Sequence, residues 1–143
     1  MEGFKFDIDY LNSANDKVIV QAGKAMEQLE RHFYYDEDAL YTWDIALIGD
    51  ERCIDEWDKE YYIGGKDVYD NPNELIVSTF KPAIDLYNQA IQEYPNELDG
   101  IFVNLLYDYS GNRDWDTCGC FVLYPVGDGR FILDNKWYRG YGK

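Results

Sequence analysis

The sequence predicts an α+β fold: an antiparallel sheet of about five or six strands, ending in a C-terminal β-meander, packed against two helices. Three observations carry this expectation. Short runs alternate apolar and polar residues, the period of a strand with one wet face. Two longer stretches repeat apolar residues at helical spacing. The last third holds apolar runs separated by turn-forming residues. The chain has 143 residues, 46% of them apolar and 17% aromatic. That is enough to build one core without a metal or a disulfide, so residues 1–143 read as a single domain.

The elements follow in order. Phe4-Lys5-Phe6-Asp7-Ile8-Asp9-Tyr10 alternates strictly and reads as a strand. Ser13, Asn15 and Asp16 offer capping side chains. Val18, Ala22, Ala25, Met26, Leu29 and Phe33 then keep helical spacing, so a helix is expected over 15–34, weakened at Gly23. Trp43, Ile45 and Leu47 alternate with Thr42, Asp44 and Ala46 as a second strand. Gly49-Asp50 reads as its turn and residues 52–57 as the returning strand. Residues 58–70 read as loop. Asn71-Pro72 is a helix-start signal, and apolar spacing continues from Leu75 to Ile91. Pro82 should kink that helix or begin a second one, since it lacks an N–H and crowds the preceding turn.

The meander starts with Ile101, Val103, Leu105 and Tyr107 on one face and Phe102 and Leu106 on the other. Two apolar faces mark a central, helix-covered strand. Residues 117–124 and 130–138 follow as strands around the turn Val126-Gly127-Asp128-Gly129.

Charge narrows the function. Net charge is −15 at neutral pH. Such a surface repels nucleic-acid phosphates and anionic membranes, and attracts basic proteins. The charge is also polarised. Segment 36–74 holds thirteen acids against Arg52, Lys59 and Lys66, or −10 of the total. Residues 129–143 carry Arg130, Lys136, Arg139 and Lys143 against Asp134 alone. Tyr35, Tyr41, Tyr61, Tyr62, Tyr69 and Trp57 lie within or beside the acidic stretch. Carboxylates with aromatic rings suit a surface that grips lysine and arginine. The expected protein-binding residues are Asp36, Glu37, Asp38, Asp50, Glu51, Asp55, Glu56, Trp57, Asp58, Glu60, Tyr61 and Tyr62. The bland alternative makes the rings core and the acids their solvated neighbours.

Other chemistry has less support. Cys118-Gly119-Cys120 would place two thiols on one strand face, and with Cys53 and His32 they could form a Cys₃His site. The spacing lacks the usual C-x₂₋₄-C pair, so buried thiols are the better reading and no metal is expected. The loop 108–116 alternates oxygen ligands in the manner of a calcium loop. Arg113 occupies the place of the turn glycine and no glutamate closes the pattern, so it reads as a polar hairpin loop. His32 is the single histidine, near a predicted helix end, and none of the common catalytic motifs is present. The chain reads as a non-enzyme without a cofactor. Three cysteines, no basic or apolar leader and no run of about 18 apolar residues point to a cytoplasmic protein that does not enter the membrane.

In overall character the chain resembles the immunity proteins of bacterial polymorphic-toxin systems. The resemblance lies in the acidic surface, the α+β pattern, the many tyrosines and tryptophans, and the turn and strand Gly127-Asp128-Gly129-Arg130-Phe131 after an aromatic-rich helix. It implies an inhibitor that binds and blocks a basic, nuclease-like toxin, with no direct nucleic-acid contact. Two alternatives stay open. One is a phage anti-defence nucleic-acid mimic that blocks a restriction or RNA-guided nuclease. The other is a small-molecule-binding α+β domain with a cleft lined by Trp43, Trp115, Tyr107 and Tyr124.

Overall fold

The computed structural model describes residues 4–49, 62–108 and 114–134. The described residues form three helices and one six-stranded sheet. In chain order these are α1 (Ile8–Ala14), β1 (Val18–Ile19), α2 (Lys24–His32), β2 (Leu40–Gly49), β3 (Tyr62–Gly64), α3 (Pro72–Ala90), β4 (Leu98–Asp108), β5 (Asp116–Gly127) and β6 (Arg130–Asp134). The strand order is β1-β6-β5-β4-β2-β3. β1 runs parallel to β6, and every other neighbouring pair is antiparallel. The α+β architecture expected from the sequence is the one found. Among the described residues no helix is long and apolar enough to cross a membrane.

The β-branched and aromatic run of β2 explains its central place. Trp43, Ile45 and Leu47 face the helices, while Ala46 and Ile48 are buried on the reverse face. β4 pairs with β2 along its length and turns Ile101, Val103 and Leu105 into the same core. α2 contributes Met26 and Leu29 to that core, and α3 contributes Leu75, Ile76, Phe80, Ala83, Ile84 and Leu86. The β5–β6 hairpin closes through Gly127, Asp128 and Gly129, all at positive φ. That conformation is open to glycine and tolerated by aspartate.

Three local expectations are overturned. The alternating start is not a strand. The rings of Phe4 and Phe6 meet edge-on with centroids 5.0 Å apart, the Phe6 N–H donates to Glu30 and the Asp7 N–H to Asn73. The Asp7 carboxylate then accepts from the Tyr10 N–H and starts α1, so a capping side chain outweighs a short alternating pattern. The expected helix over 15–34 begins only at Lys24, with Gly23 as its N-cap residue. Val18 and Ile19 pair instead with β6, as their β-branched side chains favour.

Third, the expected loop 58–70 contains β3, which pairs with β2. At Pro82 no second helix begins, and α3 runs through it as one helix. Proline inside a helix costs about 3 kcal/mol. Burying one Leu, Ile or Phe returns about 1.5–3 kcal/mol, and α3 buries five of them on the sheet. Asn71 and Pro72 open this helix as their types predict, with the Asn71 carboxamide accepting from the Asn73 N–H.

Candidate functional site

The acid-rich stretch divides into described and undescribed parts. Of the expected binding residues, Asp50, Glu51, Asp55, Glu56, Trp57, Asp58, Glu60 and Tyr61 lie outside the described residues, as do the returning strand 52–57, Cys53 and the C-terminal bases 136–143. Tyr62 begins β3. Asp36, Glu37 and Asp38 form the turn that leads into β2.

This turn is built on a buried tyrosine. Tyr41 stacks on Phe33 at 5.7 Å, and its hydroxyl accepts from the Asp36 N–H at 2.9 Å. The same hydroxyl faces the Asp36 carbonyl at 3.2 Å and the Tyr34 carbonyl at 3.4 Å. Burial pushes the Tyr41 phenol up to about 12, so it is neutral and able to donate at any physiological pH. The Asp36 carboxylate accepts from the Asp38 N–H, and the Ala39 N–H donates to the Asp36 carbonyl. Glu37 and Asp38 are left pointing outward, exposed.

Register then brings other carboxylates to the same end of the sheet. Leu40 pairs with Asp108 and Tyr107 with Asp116, which places the end of β4 and the start of β5 beside the start of β2. On the other side, Tyr41 and Tyr69 exchange backbone hydrogen bonds of 2.8 Å each. The Thr42 hydroxyl sits 3.0 Å from the Asp67 carbonyl, and the Gly65 N–H donates to the Trp43 carbonyl at 2.7 Å. Gly65 lies so close to β2 that a Cβ there would fall 2.7 Å from the Thr42 hydroxyl. The strap 65–70 is thus fixed against β2 and carries Asp67 and Asp70, both exposed.

The result is an acid-rich end. Asp36, Glu37, Asp38, Asp67, Asp70, Asp108, Asp114 and Asp116 come from four separate segments, Asp108 buried and the others at least partly exposed, and Lys66 is the one base among the described residues of these segments. Leu40 and Val68 stand among these acids, 41% and 40% exposed. Exposed apolar side chains ringed by charge have the composition of an interface centre.

Of the described acids at this end, the sequence reading named Asp36, Glu37 and Asp38 as binding residues. Asp108, Asp114 and Asp116 read as a loop distant from segment 36–74, and Leu40 and Val68 went unremarked. The signal was available only through topology: pairing β4 with β2 sets Asp108 opposite Leu40. The aromatic cleft is not assembled. Trp43 is buried against α3, its indole N–H donating to the Ser78 hydroxyl at 3.0 Å. Tyr107 packs on Tyr34 at 4.4 Å. Tyr124 pairs with Ile132 and lies over Gly100, on the reverse face from Trp43.

The cysteines also separate. β4 and β5 slip register at Leu105/Leu106, where Gly119 faces Leu105 and Thr117 faces Leu106. Cys118 is the extra residue of this β-bulge and joins the core, whereas Cys120 pairs with Asn104 on the reverse face. The bulge therefore undoes the two-residue period that would have put both thiols on one face. Burial raises both thiols, Cys120 to about 11, so they are neutral. Among the described residues no group of three metal-ligating side chains is gathered. Between the bulge and the last turn of α2 lies a cavity of about 380 Å³, bounded by Leu29, His32, Tyr34, Thr117, Cys118, Gly119 and Cys120.

Fold and site thus define a class in physical terms: an acidic α+β domain with a charged, apolar-centred sheet end. Comparison with known proteins adds no family to that description: no family model, curated protein or solved structure matches the chain.

Proposed function

We propose that this protein is a stoichiometric inhibitor, an immunity-type protein that binds a basic, nuclease-like toxin through the acid-rich end of its sheet. One observation supports the reading above the others. Exposed carboxylates from three segments share the end of the sheet at which exposed Leu40 and Val68 stand. In this reading the carboxylates take the places of phosphates in the toxin's cationic site. Leu40 and Val68 fill the centre of the contact, and inhibition is steric and electrostatic with no bond made or broken.

The experiment is capture of the protein on immobilised cationic nuclease domains, at low salt and at about 1 M salt, where the Debye length falls to about 3 Å. Retention at low salt that collapses at high salt is expected. A variant with Glu37, Asp38, Asp67, Asp70, Asp114 and Asp116 converted to their amides should lose that retention. Binding indifferent to both salt and these changes would overturn the proposal.

A further inference from the structure

The cavity between α2 and the β5 bulge plays no part in the inhibitor reading, and its lining is unlike the acid-rich end. No carboxylate, lysine or arginine is among its bounding residues. Its volume of about 380 Å³ falls within the range of ligand pockets.

The bulge shapes this space. Cys118 turns into the core, and Gly119 faces the same side, toward Phe33 and Leu29. A Cβ on Gly119 would meet Phe33 at 3.2 Å and Leu29 at 3.5 Å, so a side chain here would press against α2, and glycine keeps the gap open. One wall is fixed in place. The Tyr34 N–H donates to the Cys118 carbonyl at 2.9 Å, and the Tyr34 ring packs on Tyr107 at 4.4 Å. The floor is apolar, formed by Leu29 and the neutral Cys118 thiol, both buried. At the rim His32 and Thr117 are exposed and bring an imidazole and a hydroxyl, groups able to donate and accept hydrogen bonds. A preformed apolar hollow with a few polar groups at its mouth is the make-up of a small-molecule site. An ion entering it would lose water and meet no opposite charge, which favours an uncharged occupant.

We infer that this cavity binds a small uncharged molecule with an apolar, ring-containing body and a single hydroxyl-type head, the body on Leu29 and Tyr34 and the head at Thr117 and His32. The inference goes beyond the inhibitor reading and does not rest on it. The probes are benzyl alcohol and its charged counterparts benzoate and benzylammonium, all of similar size. Each is titrated into the whole protein at about pH 8, where free imidazole is uncharged, and at about 1 M salt, where a Debye length of about 3 Å screens the chain's net charge. The amide resonances of Thr117 and Gly119 are followed, with that of Gly65, on the β3 flank of the sheet, as the control.

Benzyl alcohol should give saturable shifts at Thr117 and Gly119 with a Kd of about 1 mM, and none at Gly65. Both ions should bind about tenfold more weakly, since no opposite charge bounds the cavity. Thr117→Trp, a change at an exposed rim position, should fill the mouth and weaken benzyl alcohol about tenfold. No saturable shift in the wild-type protein at about fifty times the expected Kd would overturn the site, a result that does not depend on any variant folding. Either ion binding as tightly as benzyl alcohol would overturn the uncharged class of ligand. Shifts at Gly65 as large as those at Gly119 would show contact spread over the surface and overturn the location. Benzyl alcohol binding undiminished to a folded Thr117→Trp would likewise overturn the assignment to this cavity.

Discussion

The two flanks of the sheet are finished in opposite ways. At the β1 edge, Asn12 of α1 turns its carboxamide onto the chain just beyond β1, donating to the Val20 carbonyl at 2.7 Å and accepting from the Val20 N–H at 2.8 Å. A side chain here imitates a neighbouring strand and closes backbone groups that would otherwise recruit another chain. Charges nearby are balanced. A cleft of about 500 Å³ beside this edge holds Asp16 with Lys17, and Lys81 with Asp85, the last pair at 2.7 Å. At the other flank, where β2 begins, acids converge with one base among the described residues of their segments, and Leu40 and Val68 stay exposed. The first flank is arranged to be left alone. The second holds like charges together beside exposed apolar carbon, which weakens a folded state on its own. That contrast motivates a binding role for the second flank.

The largest test of the contrast is Trp43→Ala. The Trp43 ring lies within about 3 Å of where a Gly65 Cβ would stand, and the Trp43 carbonyl holds the Gly65 N–H, so it supports the strap that carries Asp67, Val68 and Asp70. Loss of the ring should cost about 3–5 kcal/mol in urea unfolding. Hydrogen exchange should speed up at Gly65 and Tyr69 well before it does at Val20. Equal loss of protection at both flanks would show that the strap is not built on Trp43.

Asn12→Ala comes next and acts on the closed flank. Removing two hydrogen bonds to Val20 should cost about 1–2 kcal/mol. It should also open the β1 edge, seen as self-association in sedimentation as concentration rises. A variant that stays monomeric and fully stable would remove the edge-closing role.

Tyr41→Phe is a smaller change, about 1 kcal/mol, because it leaves the stacked ring and deletes only the hydroxyl beneath the Asp36 turn. The pH dependence gives it a signature. Burial holds the Tyr41 phenol at about 12, against 10.0 in the unfolded chain, and Cys120 at about 11, against 9.0. Both values are raised in the fold, so their stabilisation is complete below pH 9 and is lost as pH climbs through 11 and 12. Unfolding free energy should therefore be level up to about pH 9 and fall above it, and Tyr41→Phe should remove its share of the fall between about pH 10 and pH 12. An unchanged alkaline limb would show that the Tyr41 phenol titrates alike in the folded and the unfolded chain.

Legibility in the sequence followed the same division between local and non-local causes. β2, α3 and the meander were readable because their period, the Asn71-Pro72 start and the Gly127-Asp128-Gly129 turn are local signals. The first segment was misread because one capping carboxylate, Asp7, outweighs an alternating pattern. Residues 18–20 were misread because a parallel partner 113 positions away, Val18 to Phe131, decides their state. The cysteine faces were misread because a single slip in β-register is invisible in composition. The acid-rich end was half legible: segment 36–74 announces itself by charge, but Asp108, Asp114 and Asp116 join it only through antiparallel pairing.

The smallest expected effect bears most directly on why the two flanks differ. Glu37, Asp38, Asp67, Asp70, Asp114 and Asp116 are exposed. Converting any one of them to its amide should change unfolding free energy by no more than about 0.5 kcal/mol. The sign should lean toward greater stability, since each change relieves repulsion among like charges. Glu37→Gln and Asp67→Asn together should be slightly more stable than wild type at low salt, and the gain should vanish near 1 M salt. Carboxylates that cost the fold a little and serve no structural contact are what a surface retained for a partner would contain. If these amides instead destabilised the protein by more than about 1 kcal/mol, the acids would be holding the turn and the strap in place. The second flank would then differ from the first only in how it is built, and its charge would no longer argue for a partner.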